Sequence, residues 1–215
     1  MSHALLSAAH GLGAGLLGIA LVGLWLADER GRRASAAGAL ALAMRHAAVI
    51  EQRLLAPGVL MLGASGAWLV ARYYGGWHFV RIPWLAGMIA LFVFQATWAN
   101  TVGRARDARL KRLLARARES DRITPAIERV RAAPLATFGH YVELPVFALV
   151  VALGVWRPMD WNLFAAGSVA AVAIAAAATA YAGRAALPAS SFSSASVDAD
   201  GGTWSVAPST SRQRR

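Results

Sequence analysis

The chain has 215 residues, of which 57% are hydrophobic and 15% are charged, and its formal net charge is +11. Soluble domains are usually about 45–50% apolar and about 25% charged, so this composition excludes an ordinary soluble domain. The sequence contains no cysteine, which excludes disulfides, thiol catalysis and thiolate metal sites.

Five segments are long and apolar enough to cross a membrane, which takes about 20 mostly apolar residues in a helix. They span residues 4–27, 54–71, 84–102, 138–156 and 161–183. The first is followed, not preceded, by its charged residues, which is the opposite of a secretion signal. The sequence therefore predicts an all-α integral membrane helix bundle with five transmembrane helices.

The basic residues predict the orientation of these helices. Of the 22 Lys and Arg residues, 19 lie on the side that holds the first and third loops and the C-terminal tail. An excess of Lys and Arg marks the cytoplasmic side, so we expect the N-terminus outside and the C-terminus in the cytoplasm of a bacterial inner membrane. The outer boundary is also marked by four tryptophans: Trp77, Trp84, Trp156 and Trp161. Because the basic residues lie between apolar segments and not on one soluble face, no nucleic-acid partner is predicted.

Two loops on the basic side show helical patterns. In residues 107–120, Leu110, Leu113 and Leu114 recur at helical spacing among Arg and Lys. This pattern predicts an interfacial helix that lies on an anionic leaflet. The alternative is a solvated helix that covers the inner end of the bundle. Residues 34–50 are Ala-rich and are expected to extend the second helix below the membrane, up to a kink near Pro57.

Small residues recur on three of the predicted helices. Without a hydrophobic force between helices in lipid, association depends on close packing of such residues. The expected helix-packing positions are Gly11, Gly15, Gly63, Gly66 and Gly167. They would serve packing inside one bundle or, alternatively, docking to another membrane subunit. The smooth, Ala-rich fifth helix is the expected docking element.

Ionisable residues are rare at membrane depth and are candidates for function. On the predicted topology, the inner ends of the second, third and fourth helices bring polar side chains to one depth. This expected polar cluster consists of His46, Glu51, Arg53, Asn100, His140 and Glu143. An ion pair between Glu143 and Arg53 is expected within it. The alternative is that these are snorkelling or hydrogen-bonded packing residues.

The histidines make haem b an alternative cofactor, and no other cofactor is predicted. The candidate haem or metal ligands are His10, His46, His78 and His140. His10 and His140 differ in depth by roughly 20 Å at 1.5 Å per residue, so they cannot share one iron. Pairing His46 with His140, or His10 with His78, would need a loop to turn toward the membrane. No Walker loop, zinc-protease motif or nucleophile elbow is present, and we predict no enzymatic activity and no catalytic residue.

Several short motifs recur along the chain: residues 10–15 with 27–30, 54–58 with 65–69, 75–77 with 83–85, Trp98 with the basic residues from Arg104, and 152–158. Together they resemble a family of small bacterial integral membrane proteins known only as a domain of unknown function. The resemblance covers roughly residues 1–158 and implies a four-helix unit without an assigned activity. Residues 159–186 then form an additional Ala-rich transmembrane helix. The Ser-rich residues 187–215 are expected to be a disordered cytoplasmic tail.

Three functions remain as hypotheses from the sequence. The first is a non-enzymatic accessory or scaffold subunit that binds other membrane protein subunits within the lipid bilayer. The second is a b-type haem electron-transfer subunit. The third is a small transporter or metal-handling membrane protein.

Overall fold

The computed structural model describes residues 2–185. Within that part of the chain, the helices are α1 His3–Arg33, α2 Ala37–Ile50, α3 Ala56–Tyr73, α4 Pro83–Trp98, α5 Arg104–Leu114, α6 Pro125–Arg131, α7 Pro134–Trp156 and α8 Asn162–Ala185. Five stretches are long and apolar enough to span a membrane: His3–Arg33, Ala37–Tyr73, Pro83–Leu114, Pro134–Trp156 and Asn162–Gly183. The predicted all-α bundle of five membrane helices is confirmed. The predicted disordered tail lies outside the described residues.

Two of the long helices pass through a π-helical turn. Glu51–Leu55 joins α2 to α3, and Ala99–Gly103 joins α4 to α5. Pro57 lies two residues after the first of these turns. It has no N–H, and its ring would crowd the carbonyl of Arg53 in a regular α-helix. The wider π turn accommodates that mismatch without ending the helix. The expected extension of the second helix is therefore present from Ala37 onward, with its irregularity placed just before Pro57.

We call the end of the bundle that holds α2, α5 and α6 the basic end. Here the last turn of α1 meets the first turn of α7. The Arg32 guanidinium donates hydrogen bonds to Thr137 Oγ1 at 3.1 Å and to the Ala136 carbonyl at 3.2 Å. The Arg131 guanidinium donates to the carbonyls of Gly31 and Ala34 at 3.1 and 2.8 Å, so α6 also binds the C-terminal end of α1.

A small subdomain with its own apolar core covers the basic end. Leu110 of α5 is 2% exposed and Ile127 of α6 is 1% exposed, and they pack with Leu40 of α2. A helix lying on lipid would turn these leucines outward, whereas α5 buries Leu110 against protein. The leucine face of α5 therefore contacts protein and not lipid. The structure agrees with the alternative of a helix that covers the inner end of the bundle.

The main membrane core lies between α4, α7 and α8. Leu153 of α7 and Ala175 of α8 are fully buried, and Val142 is 1% exposed. A Cβ on Gly167 would collide with the side chain of Leu149, so α8 approaches α7 closely at this point. At Gly167, small residues on α8 thus serve packing inside the bundle, which is one of the two roles expected of the packing positions.

Candidate functional site

The densest group of charged side chains is centred on Asp28, near the C-terminal end of α1. Its Oδ2 atom lies 2.8 Å from Arg32 Nε and 2.8 Å from Nδ1 of His140 on α7. Its Oδ1 atom lies 2.6 Å from a terminal nitrogen of Arg106 on α5. One carboxylate therefore joins three helices at the basic end. We call these four residues the Asp28 cluster.

His140 is the most deeply buried member of the Asp28 cluster, with a side chain that is 2% exposed. The ring of Trp25 stacks on its imidazole, with 5.1 Å between centroids and 12° between planes. Its Nε2 atom faces Glu29 Oε2 at 3.7 Å and has no hydrogen-bond partner within residues 2–185. An imidazolium would therefore present one N–H to Asp28 and the other toward Glu29.

Each ionised side chain of the Asp28 cluster has a partner of opposite charge nearby. Asp28 has two guanidinium partners, while Glu29 pairs with Arg33 at 2.7 Å on the solvent side. Charges that leave water must be paired and hydrogen-bonded, or they destabilise the fold strongly. The chemistry on hand is ion pairing. Over the described part of the chain, no group of three or more His, Asp or Glu residues is arranged to hold a metal ion.

Of the six residues in the expected polar cluster, only His140 belongs to the Asp28 cluster. Glu143 lies one turn further along α7, where its backbone carbonyl accepts a 2.8 Å hydrogen bond from Gln95 Nε2. No salt bridge forms between Glu143 and Arg53 within residues 2–185, because Arg53 points outward from the π turn. The expected ion pair between these two residues is therefore absent.

The other members of the expected cluster lie on outward faces. Glu51 and Arg53 are exposed in the π turn after α2, and His46 is exposed on α2 itself. Asn100 is exposed and donates a 2.7 Å hydrogen bond to the Ala96 carbonyl within its own helix. These side chains do not come together in one site.

Two of the candidate haem ligands, His10 and His78, contact groups far from His140. His10 Nδ1 lies 3.2 Å from Ser65 Oγ on α3, and His78 Nδ1 lies 2.9 Å from the Gly75 carbonyl. Along α1, His10 is 18 residues from Asp28, the partner of His140, which corresponds to about 27 Å at 1.5 Å per residue. His10 and His140 therefore lie near opposite ends of α1.

Sequence reasoning missed Asp28, Arg32 and Arg106. The first apolar segment was expected to end at residue 27, so Asp28 was grouped with the solvated loop. A signal was available, since Asp28 and Arg32 are four residues apart and face the same side of any helix that continues past the apolar run. Arg106 gave no such signal, because it is 78 residues away and resembles the nine other basic residues of its loop.

The expected helix-packing glycines divide into two groups. Gly66 packs against His10, and Gly167 packs against Leu149. In contrast, Gly11 and Gly15 of α1 and Gly63 of α3 are exposed, and a Cβ added to any of them would meet no atom within 4 Å among the described residues.

The close contact between α1 and α3 uses other glycines. A Cβ on Gly13 would lie 2.7 Å from the backbone nitrogen of Leu62, and one on Gly58 would lie 3.0 Å from the backbone nitrogen of Leu17. Gly11 and Gly15 therefore lie on a different face of α1 from the glycine that packs inside the molecule.

A groove of about 440 Å³ lies on the subdomain between α5 and α6. Leu113 and Val130 form its apolar floor. Four arginines line it: Arg109, Arg112, Arg116 and Arg129. We call it the arginine groove. None of the four arginines forms a salt bridge within residues 2–185, whereas Arg32, Arg106 and Arg131 are all paired.

Comparison with protein families gives a match to the family described as "Predicted integral membrane protein (DUF2269)", over residues 4–158. The matched region runs from α1 to the residues just after α7, so α8 lies beyond it. No curated protein and no solved structure matches the chain.

Proposed function

The chain belongs to this family of predicted integral membrane proteins, and we propose that it is a non-enzymatic accessory or scaffold subunit of a larger membrane complex. The observation that supports this function is the exposed glycine pair Gly11 and Gly15 on α1. These residues are one turn apart and have no packing partner among the described residues. Gly11 and Gly15 would form the surface that contacts a neighbouring membrane subunit.

A glycine pair on a lipid-facing surface has a cost that contact with another helix offsets. Glycine is about 1 kcal/mol less favourable than alanine in a helix interior. Lipid chains need no gap in the helix surface, whereas a neighbouring helix gains close backbone approach from one. Because Gly13 already serves the contact with α3, internal packing does not account for Gly11 and Gly15.

We place the protein in a bacterial inner membrane with the basic end in the cytoplasm. The uneven distribution of Lys and Arg supports this orientation, because the first and third loops hold 15 of the 22, whereas the opposite end of the bundle holds Arg72, Arg81 and Arg157. Exposed tryptophans at the opposite end, Trp77 at 85% and Trp156 at 70%, agree with an interfacial belt there. The subdomain of α2, α5 and α6 would then lie on the cytoplasmic surface.

The test uses the full-length, affinity-tagged protein extracted from its native membranes with a mild detergent. The wild-type protein should migrate as a complex that contains a different membrane subunit at fixed stoichiometry. The double substitution Gly11→Leu and Gly15→Leu should release that subunit while leaving thermal stability unchanged, because both positions open onto empty space.

The matched control replaces Ala176 and Ala180 with leucine, two exposed residues of α8 with the same spacing. This variant should keep the complex intact. If only the α8 variant released the other subunit, the docking surface would be on α8 and the proposed role of α1 would be refuted. A complex that contains only further copies of this chain would contradict an accessory role.

A further inference from the structure

The arginines at the basic end include two groups with different surroundings. Arg32, Arg106 and Arg131 point inward and meet carboxylates or backbone carbonyls of α1 and α6. The arginines of the groove meet no carboxylate within residues 2–185, although Arg112 and Arg129 each donate their Nε hydrogen to a carbonyl of their own helix. Four cationic groups therefore surround one concave surface without an internal counter-charge.

The arginine groove lies close to where the chain leaves and re-enters the apolar layer. Arg109 is seven residues beyond Val102, the last residue of the third apolar run, so it is at most about 10 Å from that boundary. Arg129 is nine residues before Phe138, the first residue of the fourth apolar run. The headgroup layer is about 5 to 8 Å thick on each side of the hydrocarbon. A long arginine side chain can span the remaining distance.

The chemistry of the groove suits a phosphodiester. Guanidinium groups bind phosphate oxygens through paired, charge-assisted hydrogen bonds, and several around one anion reinforce each other. The apolar floor of Leu113 and Val130 keeps water away from one side of such a contact, which strengthens it. A free phosphate ion has the same chemistry, but a lipid phosphate is held at this depth at high local concentration.

We propose that the arginine groove binds the phosphate of an anionic phospholipid headgroup. The site is separate from the glycine pair of α1 and does not depend on the proposed accessory function. Binding would fix the subdomain against the membrane surface through α5 and α6.

The experiment uses the purified full-length protein in a neutral detergent, with phosphatidylglycerol and phosphatidylcholine of identical chains, read by native mass spectrometry. The wild-type protein should retain phosphatidylglycerol with at least about tenfold preference. The double substitution Arg109→Gln and Arg116→Gln should abolish that preference. The control Arg30→Gln and Arg122→Gln, which removes two exposed charges outside the groove, should retain it.

A second measurement separates binding from damage to the fold. Phosphatidylglycerol should raise the Tm of the wild type and of the control but not that of the groove variant, while all three share one Tm without lipid. Equal loss of preference in both variants would overturn the proposal, since it would reflect net charge alone. So would complete displacement of the lipid by millimolar inorganic phosphate, which would assign the groove to a soluble anion. Release of an acidic protein partner from native membranes by the groove variant, with lipid binding unchanged, would also overturn it.

Discussion

The Nδ1 atom of His140 lies 2.8 Å from Oδ2 of Asp28, and this contact ties the buried first half of α7 to the end of α1. The same carboxylate holds Arg106, so the long helix of α4 and α5 is fixed to α1 at the same point. The membrane helices and the subdomain at the basic end therefore share one electrostatic anchor.

Replacing that anchor should destabilise the whole protein. Asp28→Asn keeps the shape of the side chain but leaves Arg32, Arg106 and His140 without their carboxylate. Breaking a buried ion pair costs about 3 kcal/mol, and we expect a loss of that order in the free energy of unfolding. Denaturant titration followed by tryptophan fluorescence in detergent measures it.

The matched control is Glu119→Gln. This carboxylate has a side chain that is 86% exposed, and its partner Arg45 is 3.9 Å away. Exposed pairs of this kind contribute little, so no measurable change is expected. Similar destabilisation by both substitutions would show that the Asp28 cluster is not an anchor.

The sequence predicted the membrane helices well because an apolar run of sufficient length has one stable arrangement in lipid. It predicted the Asp28 cluster poorly for a physical reason. Burial of Asp28 depends on partners that are 78 and 112 residues away along the chain, Arg106 and His140. No local pattern distinguishes such a carboxylate from one in a solvated loop.

The glycines illustrate the same limit on a smaller scale. Spacing alone identified Gly11 and Gly15 as a pair on one face of α1, and both lie on an exposed face of that helix. It could not tell that Gly13, between them, faces α3 while the pair faces outward. Which face of a helix meets its neighbour depends on the rotation of the helix about its axis. A helix that is apolar on every side has no polar face in its sequence from which that rotation could be inferred.

Alanine substitutions at Gly13 and Gly15 should have opposite effects on stability. A Cβ at Gly13 would lie 2.7 Å from the backbone nitrogen of Leu62, so α1 and α3 must separate, at a cost of about 1 to 3 kcal/mol. A Cβ at Gly15 meets nothing within 4 Å, so Gly15→Ala should be neutral or slightly stabilising. The measurement compares the Tm values of the two variants in the same detergent. Equal Tm values would indicate that α1 and α3 are not in close contact.

Single cysteines should be labelled from opposite sides of the membrane. The chain has no native cysteine, so Met159→Cys and Ser120→Cys each give one thiol in an exposed loop at opposite ends of the bundle. If the basic end is cytoplasmic, an impermeant maleimide should label Met159→Cys in spheroplasts and Ser120→Cys only after lysis. Labelling of Ser120→Cys in intact spheroplasts would reverse the proposed orientation.

The purified protein should show no Soret band. A bis-histidine haem needs two imidazoles at one depth on facing helices. His10 lies about 27 Å along α1 from Asp28, which His140 contacts. Each is also engaged elsewhere, His10 with Ser65 at 3.2 Å and His140 with Asp28 at 2.8 Å. The Nδ1 atom of His78 contacts the Gly75 carbonyl at the end of the bundle opposite His46 and His140. His78 therefore cannot share an iron with either of them. An absorbance scan after extraction from haem-replete cells provides the measurement. A Soret band that disappears in His10→Ala or His140→Ala would contradict this expectation, and it would mean that one of these hydrogen bonds is exchanged for iron.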